Sequence, residues 1–262
     1  MTASARVFSL DCRTPLITIG IEAATSARRV VPMPVCLGIG VTAVSNSPRT
    51  PFLCLFYRRY LDDQASATFV NAVLRRYNQG TLQRLAENPD SEIRRAAVLA
   101  LGFLGDYEAN HAVGRALHDE DRTVRILAEN AIRKIWTRIG NETHRRQLDA
   151  VVRLVAAQQY AEAIAKATEL IDNISWFGEA WNQRAVAHFR VGQFVEAIRD
   201  CHQALEVNPY HFEAATNMGH AYLQLENQVS ALECFRRALR LNPNLEGVRV
   251  QIDRLARLIE ER

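Results

Sequence analysis

The sequence predicts an all-α fold, an α-solenoid of helical hairpins, for everything beyond about residue 65. Three observations predict it. The first is where the prolines fall. Five of the eight, Pro15, Pro32, Pro34, Pro48 and Pro51, sit in the first 51 residues. The other three, Pro89, Pro209 and Pro243, fall between helical periods, where a residue that cannot continue the hydrogen-bond ladder belongs. The second and third are internal repeats, one with a period of 31 residues and a stronger one with a period of 34. Self-similarity on that scale marks units that bury their apolar faces only by stacking on their neighbours. The 262 residues, 48% apolar and 23% charged, are enough for a sizeable core of this kind.

Residues 1–64 read differently, as a low-order or disordered segment without a sustained helical or strand period. The apolar run from Val30 to Val44 follows Arg28 and Arg29 and precedes Ser45-Asn46-Ser47, an order that resembles a late signal peptide. Two prolines inside it and the long polar lead-in count against that reading. A disordered tail, or an extension absent from the working protein, is preferred. The five cysteines, Cys12, Cys36, Cys54, Cys201 and Cys234, form no CxxC pair and no regular spacing, so free thiols in a reducing cytoplasmic setting are expected. No stretch reaches 18 uninterrupted apolar residues, so no membrane span is expected.

The 31-residue unit aligns Asp90-Ser-Glu-Ile-Arg-Arg-Ala-Ala with Asp121-Arg-Thr-Val-Arg-Ile-Leu-Ala. Ile93 matches Val124, Arg94 matches Arg125, Ala97 matches Ala128, Ala100 matches Ala131 and Leu104 matches Ile135. The aspartates are placed to cap helix N-termini, and the apolar residues recur at helical spacing along one face. A shorter helix follows each long one, over 107–117 and from Thr143 onward, and a looser earlier unit spans 68–86. The pattern resembles HEAT repeats, in particular the short repeats of phycobilin lyases, and assigns residues 65–143 to HEAT-like units.

The 34-residue unit repeats Gln159-Tyr-Ala-Glu-Ala-Ile as Gln193-Phe-Val-Glu-Ala-Ile and Asn227-Gln-Val-Ser-Ala-Leu, and sets Asn208-Pro209 one period before Asn242-Pro243. With Trp181, Ala185, His188, Ala197, Cys201, Ala204 and Pro209, then Ala215, Gly219, Tyr222, Ala231, Phe235, Ala238 and Pro243, this resembles tetratricopeptide repeats. The resemblance implies repeats at 144–177, 178–211 and 212–245, the first atypical because Ser175 stands where a proline is expected. A capping helix follows over 248–259. With no Pro/Gly/Ser linker between them, the two arrays are expected to stack into one continuous right-handed superhelix.

Composition and motif content argue against catalysis. There is no HExxH, no paired histidine at i, i+4, no GxGxxG, no GxxxxGK[ST] and no GxSxG. No enzyme activity, cofactor or metal is therefore expected. The formal net charge of +3 arises from 32 basic and 29 acidic residues, and its excess lies in the first 65 residues. The repeats are balanced and give no ground for a nucleic-acid partner. A repeat array spends its buried residues on stacking, so its function is expected on the exposed groove. The family resemblance puts that groove on the first helix of each hairpin. There the candidate peptide-binding residues are Asn182, Gln183, Val186, Phe189 and Arg190, then Asn217, His220 and Gln224. Glu179, Glu213 and Thr216 are expected to be exposed beside them. Asn182 and Asn217 are expected to present amides on one wall to a peptide backbone. The function expected is a non-catalytic scaffold or adaptor for a protein or peptide partner. Two alternatives come with the HEAT-like half: an anion or nucleic-acid binder using Arg94, Arg95, Arg122 and Arg125, or a protein of the bilin-lyase type. The bland role for those arginines is an ion-pair ladder with Asp90, Asp119, Glu120 and Asp121.

Overall fold

The computed structural model describes residues 51–260. The signal-like stretch, Cys12 and Cys36 lie outside the described residues. The described chain is helical throughout, with no strand: α1 Phe52–Asp63, α2 Ser66–Leu74, α3 Gln79–Leu85, α4 Ser91–Leu104, α5 Asn110–Ala116, α6 Arg122–Trp136, α7 Glu142–Ala156, α8 Tyr160–Asn173, α9 Gly178–Arg190, α10 Phe194–Val207, α11 Phe212–Gln224, α12 Gln228–Leu241 and α13 Glu246–Glu260. Helix α1 corrects the low-order reading for its twelve residues. Leu53, Cys54 and Tyr57 are buried against the helices that follow, and Arg58 forks onto Glu92 at 2.6 Å. This burial is tertiary, which is why the residues show no long period of their own.

The HEAT-like half forms as its caps dictate. Asp90 accepts the Glu92 amide at 2.8 Å to open α4, and Asp121 accepts the Val124 amide at 3.0 Å to open α6. The alanine faces let α4 and α6 pack closely: Ala97, Ala100, Ala128 and Ala131 are all buried. Of the four arginines expected to form a ladder between the units, Arg94 and Arg95 do so, whereas Arg125 goes to the Asp119 and Glu120 carbonyls and to Asn244 instead. Arg94 forks onto Asp119 at 2.7 and 2.9 Å while one Nη holds the Asn88 and Pro89 carbonyls, and Arg95 pairs with Asp121. The Arg95 hydrogen bond holds the Asp121 carboxyl down at a pKa of about 2.

Helices α9 to α12 form hairpins whose cores are Ala185, Ala197, Cys201, Ala215, Ala231 and Phe235, closed by α13. Gly219 lies under the Phe235 ring, which a methyl group would approach to 2.7 Å.

The expected end-to-end continuity of the two arrays is not what the structure shows. In a continuous stack α7 would pack along α6, as α6 packs along α4. Instead α7 packs on α8 and α9, and α6 runs across the turns that enter the tetratricopeptide-like helices, in reverse chain order. Near its start, Arg125 donates to Asn244 Oδ1 at 3.2 Å, beside the turn into α13. Near its end, Arg133 pairs with Glu213 at 2.6 Å, and Trp136 stacks on His211 and packs on Phe212 at the entry to α11. Just beyond it, Ile139 is buried with Ile174, Phe177 and Leu148 at the entry to α9. The physical reason is the chemistry of those turns. Every 34 residues they present aromatic and apolar groups that would otherwise meet water, and a second layer of helices covers them. Helix α5 completes the cover. The Tyr210 ring packs against Gly114, leaving no room there for a methyl group, and its hydroxyl meets His111 Nδ1 at 2.5 Å.

The chain turns between α6 and α7 at Gly140, whose φ of +72° suits glycine and whose missing side chain makes room for the His144 ring, which a methyl group there would approach to 2.6 Å. Gly140→Ala is expected to lower stability by about 1–3 kcal/mol, read by urea unfolding. A loss below about 0.3 kcal/mol would show that the turn adapts.

Candidate peptide-binding groove

The first helices of the hairpins, α7, α9, α11 and α13, carry the groove-facing positions in the family reading. Two of the expected exposed groups are instead interior. Glu179 is 6% exposed and Asn182 2%. They belong to a polar chain that runs between helices. Asn217 donates to Asn182 Oδ1 at 2.9 Å, Asn182 and Gln183 donate to Glu179 Oε1 at 3.4 and 2.6 Å, and His211 meets Glu179 Oε2 at 3.0 Å. Because the Ala214 amide donates to His211 Nδ1, the ring proton sits on Nε2 and is given to Glu179. Burial opposes ionisation of Glu179, but the hydrogen bonds from His211, Gln183 and Asn182 outweigh it and hold its pKa below the ordinary carboxylate range.

This corrects the expectation that Asn182 and Asn217 offer parallel amides to a ligand. They lie 35 residues apart, one more than the repeat, so the side chains converge between α9 and α11 and satisfy each other. Glu213 is likewise engaged, by Arg133 from the HEAT-like half.

The remaining expected residues stay toward solvent. Val186 and Phe189 are half-buried, with the Phe189 ring edge-on to Phe194 at 5.5 Å, while Arg190 and Gln224 are exposed in the last turns of α9 and α11. His220 is half-buried with its ring edge-on to Phe235 at 5.1 Å, and burial pushes its pKa down. Register adds Val152 of α7 and Arg254 of α13 to these positions. Val152, Val186, His220 and Arg254 are each 34 apart and occupy one position on α7, α9, α11 and α13. Val152 is 40% exposed and Arg254 is exposed. The line therefore passes from apolar to imidazole to guanidinium along the array.

Other candidates resolve as structure. Cys201 is fully buried and burial raises its pKa, so the thiolate needed for chemistry is disfavoured. His188 bonds Gln193 Oε1 at 2.6 Å. Arg94, Arg95 and Arg125 spend their donors on carboxylates, carbonyls and Asn244, which leaves the anion-binding alternative only Arg122 of its four residues. Among the described residues no cluster of three or more His, Cys, Asp or Glu could hold a metal ion, and no helix is long and apolar enough to cross a membrane.

Comparison with known proteins agrees with the two repeat patterns. The tetratricopeptide repeat model matches residues 178–211 and 212–245, and the HEAT repeat model matches 78–172, running on through α7 and most of α8. The chain is 29% identical over 91 residues to human tetratricopeptide repeat protein 12, covering 35% of this chain and 13% of that protein. It is 26% identical over 106 residues to Hsp70-Hsp90 organizing protein 1 of Glycine max, covering 39% and 18%. It is 25% identical over 138 residues to a TPR repeat-containing protein of Rhizobium etli, covering 53% and 67%. The chain thus spans less than a fifth of the first two relatives. It belongs to the helical-repeat proteins, with HEAT repeats over 78–172 leading into tetratricopeptide repeats at 178–211 and 212–245.

Proposed function

We propose that this chain is a non-catalytic adaptor that holds an extended segment of a partner protein along the line Val152, Val186, His220 and Arg254. The observation that carries this reading is the division of labour between the two edges of the array. The HEAT helices cover the turns that enter α9, α11 and α13, and the 34-residue line on the first helices stays open to solvent. On this reading α7 and α8, residues 144–177, serve as a first tetratricopeptide hairpin. Val152, Val186 and Phe189 meet apolar side chains of the ligand, His220 and Gln224 offer polar contacts, and Arg254 meets an acceptor toward the cap. Asn182, Gln183 and Asn217 set the spacing of α9 and α11 beneath it, and Arg190 lies at its rim. The name of the Glycine max relative, an Hsp70-Hsp90 organizing protein, is in keeping with an adaptor. Cys54, Cys201 and Cys234 are free and buried, which suits a cytoplasmic protein.

The test is selection from a random linear peptide library on the full chain. Peptides with apolar residues followed by an acidic one are expected to be enriched. Val186→Asp is expected to weaken the best of them at least about tenfold, the order of 1.4 kcal/mol, with the melting temperature unchanged. No enrichment, or equal binding by Val186→Asp, overturns the groove reading.

A further inference from the structure

The turn between α6 and α7 gathers cations without acids. Arg138 is half-buried and gives Nη1 to the Gly105 carbonyl at 2.9 Å and Nη2 to the Gly102 carbonyl, both at the end of α4. Arg145, one turn into α7, reaches only the Gly140 carbonyl, at 3.4 Å, and its Nε is buried with no hydrogen-bond partner. Lys134, one turn before Arg138, has its ammonium 5.0 Å from the centre of the Phe103 ring.

Among the described residues no carboxylate lies within ion-pair distance of any of the three. Glu142 is engaged by Arg146 at 3.0 Å, and Asp149, one turn beyond Arg145, makes no ion pair with it. Elsewhere in the HEAT half, Arg58, Arg94, Arg95, Arg115 and Arg133 each have a carboxylate. Burial, and then the nearby Arg145 charge, push the Arg138 pKa below its usual value. Two like charges held partly out of water are costly unless an anion joins them. A guanidinium carries five N–H donors, and both of these have donors left after their carbonyl bonds, so the pair can still hydrogen-bond an oxyanion.

We infer that this turn is an oxyanion-binding site of the phosphate class, with Arg138 from the turn that follows α6 and Arg145 from α7 as its ligands and Lys134 at its rim. An anion there bridges the last HEAT helix to the first helix of the following array, so occupancy stiffens the junction between them. Free phosphate and a phosphate ester on a polypeptide share this chemistry.

The experiment is thermal unfolding of the full chain, with titration calorimetry, in sodium phosphate against sodium chloride of equal ionic strength. Wild type is expected to bind phosphate one to one. Its melting temperature should rise by about 2–5 °C at tenfold excess over the dissociation constant. Arg145→Gln is expected to abolish both effects. Arg138 also closes the end of α4, so Arg138→Gln is expected to lower the starting melting temperature as well as the response. A phosphate response no larger than that of chloride overturns the inference, and so does a response kept in Arg145→Gln. A short phosphoserine peptide, compared with its unphosphorylated form and with free phosphate, identifies the source. Tighter binding of the phosphopeptide assigns an ester, and equal or weaker binding assigns the free ion.

Discussion

Trp136→Ala is expected to lose about 3–5 kcal/mol, the range for removing a fully packed large aromatic, and to separate a single unfolding transition into two. Trp136 is 1% exposed. Its ring lies 4.3 Å from His211 and 5.1 Å from Phe212, and its Nε1 donates to Asn110 Oδ1 at 2.8 Å. Asn110 in turn donates to Asn208 Oδ1 at 2.9 Å. One side chain therefore joins α6, α5 and the turn into α11, and its removal leaves both a void and an unpaired buried amide. Each region also has buried apolar residues of its own, joined through Phe212, Leu241 and Leu245, so weakening the junction at Trp136 is expected to let each unfold separately. Calorimetry with urea unfolding checks this. Trp176→Ala is the control, since Trp176 is 53% exposed and a change within about 0.5 kcal/mol is expected. A loss of under 1 kcal/mol from Trp136→Ala with one sharp transition would show that the HEAT layer is not held by this contact.

Breaking the Glu179–His211 pair carries the second large effect. Removing one member, in Glu179→Leu or in His211→Leu, is expected to cost about 3 kcal/mol, because the other is left buried with its polar atoms unsatisfied. Replacing both by leucine is expected to recover much of that loss, since apolar pairs often substitute for buried polar ones. Losses that simply add in the double variant would mean the two side chains act independently. The pH dependence follows from the depressed pKa of Glu179. A carboxyl whose folded pKa lies below its unfolded value stabilises fully above the unfolded value and loses that contribution as pH falls through the folded one. Wild type should therefore lose stability on acidification below the ordinary carboxylate range more steeply than the double leucine variant. Identical slopes in the two proteins would sink this account.

Most of the local structure was legible in the residues. Asp90 and Asp121 announced helix starts because a short carboxylate before an amphipathic run has one natural use, and both cap their helices. The paired Asn-Pro steps at 208 and 242 announced hairpin ends, and Gly219 announced a close approach that the Phe235 ring makes. The arginine ladder was legible for Arg94 and Arg95, which reach the acids that open the next unit 25 and 26 residues on, but not for Arg125, which turns to carbonyls and Asn244.

The groove was legible as a surface but not residue by residue. Helical spacing alone cannot separate Val186, which stays toward solvent, from Asn182, which turns inward. The two lie one turn apart on α9, and which of them turns inward is decided by Asn217 of α11, whose side chain meets Asn182.

The sequence by itself determined the helices, their caps, the two repeat periods and the apolar faces, because these rest on contacts within a repeat or between adjacent repeats. Only the tertiary structure decided how the two arrays meet. Contacts such as Trp136 with His211, Tyr107 with Val207 and His118 with Arg240 join residues 75 to 122 positions apart and follow no period. They form because the turns of one array offer apolar groups that the helices of the other can cover. That complementarity of shape and polarity appears once both are folded.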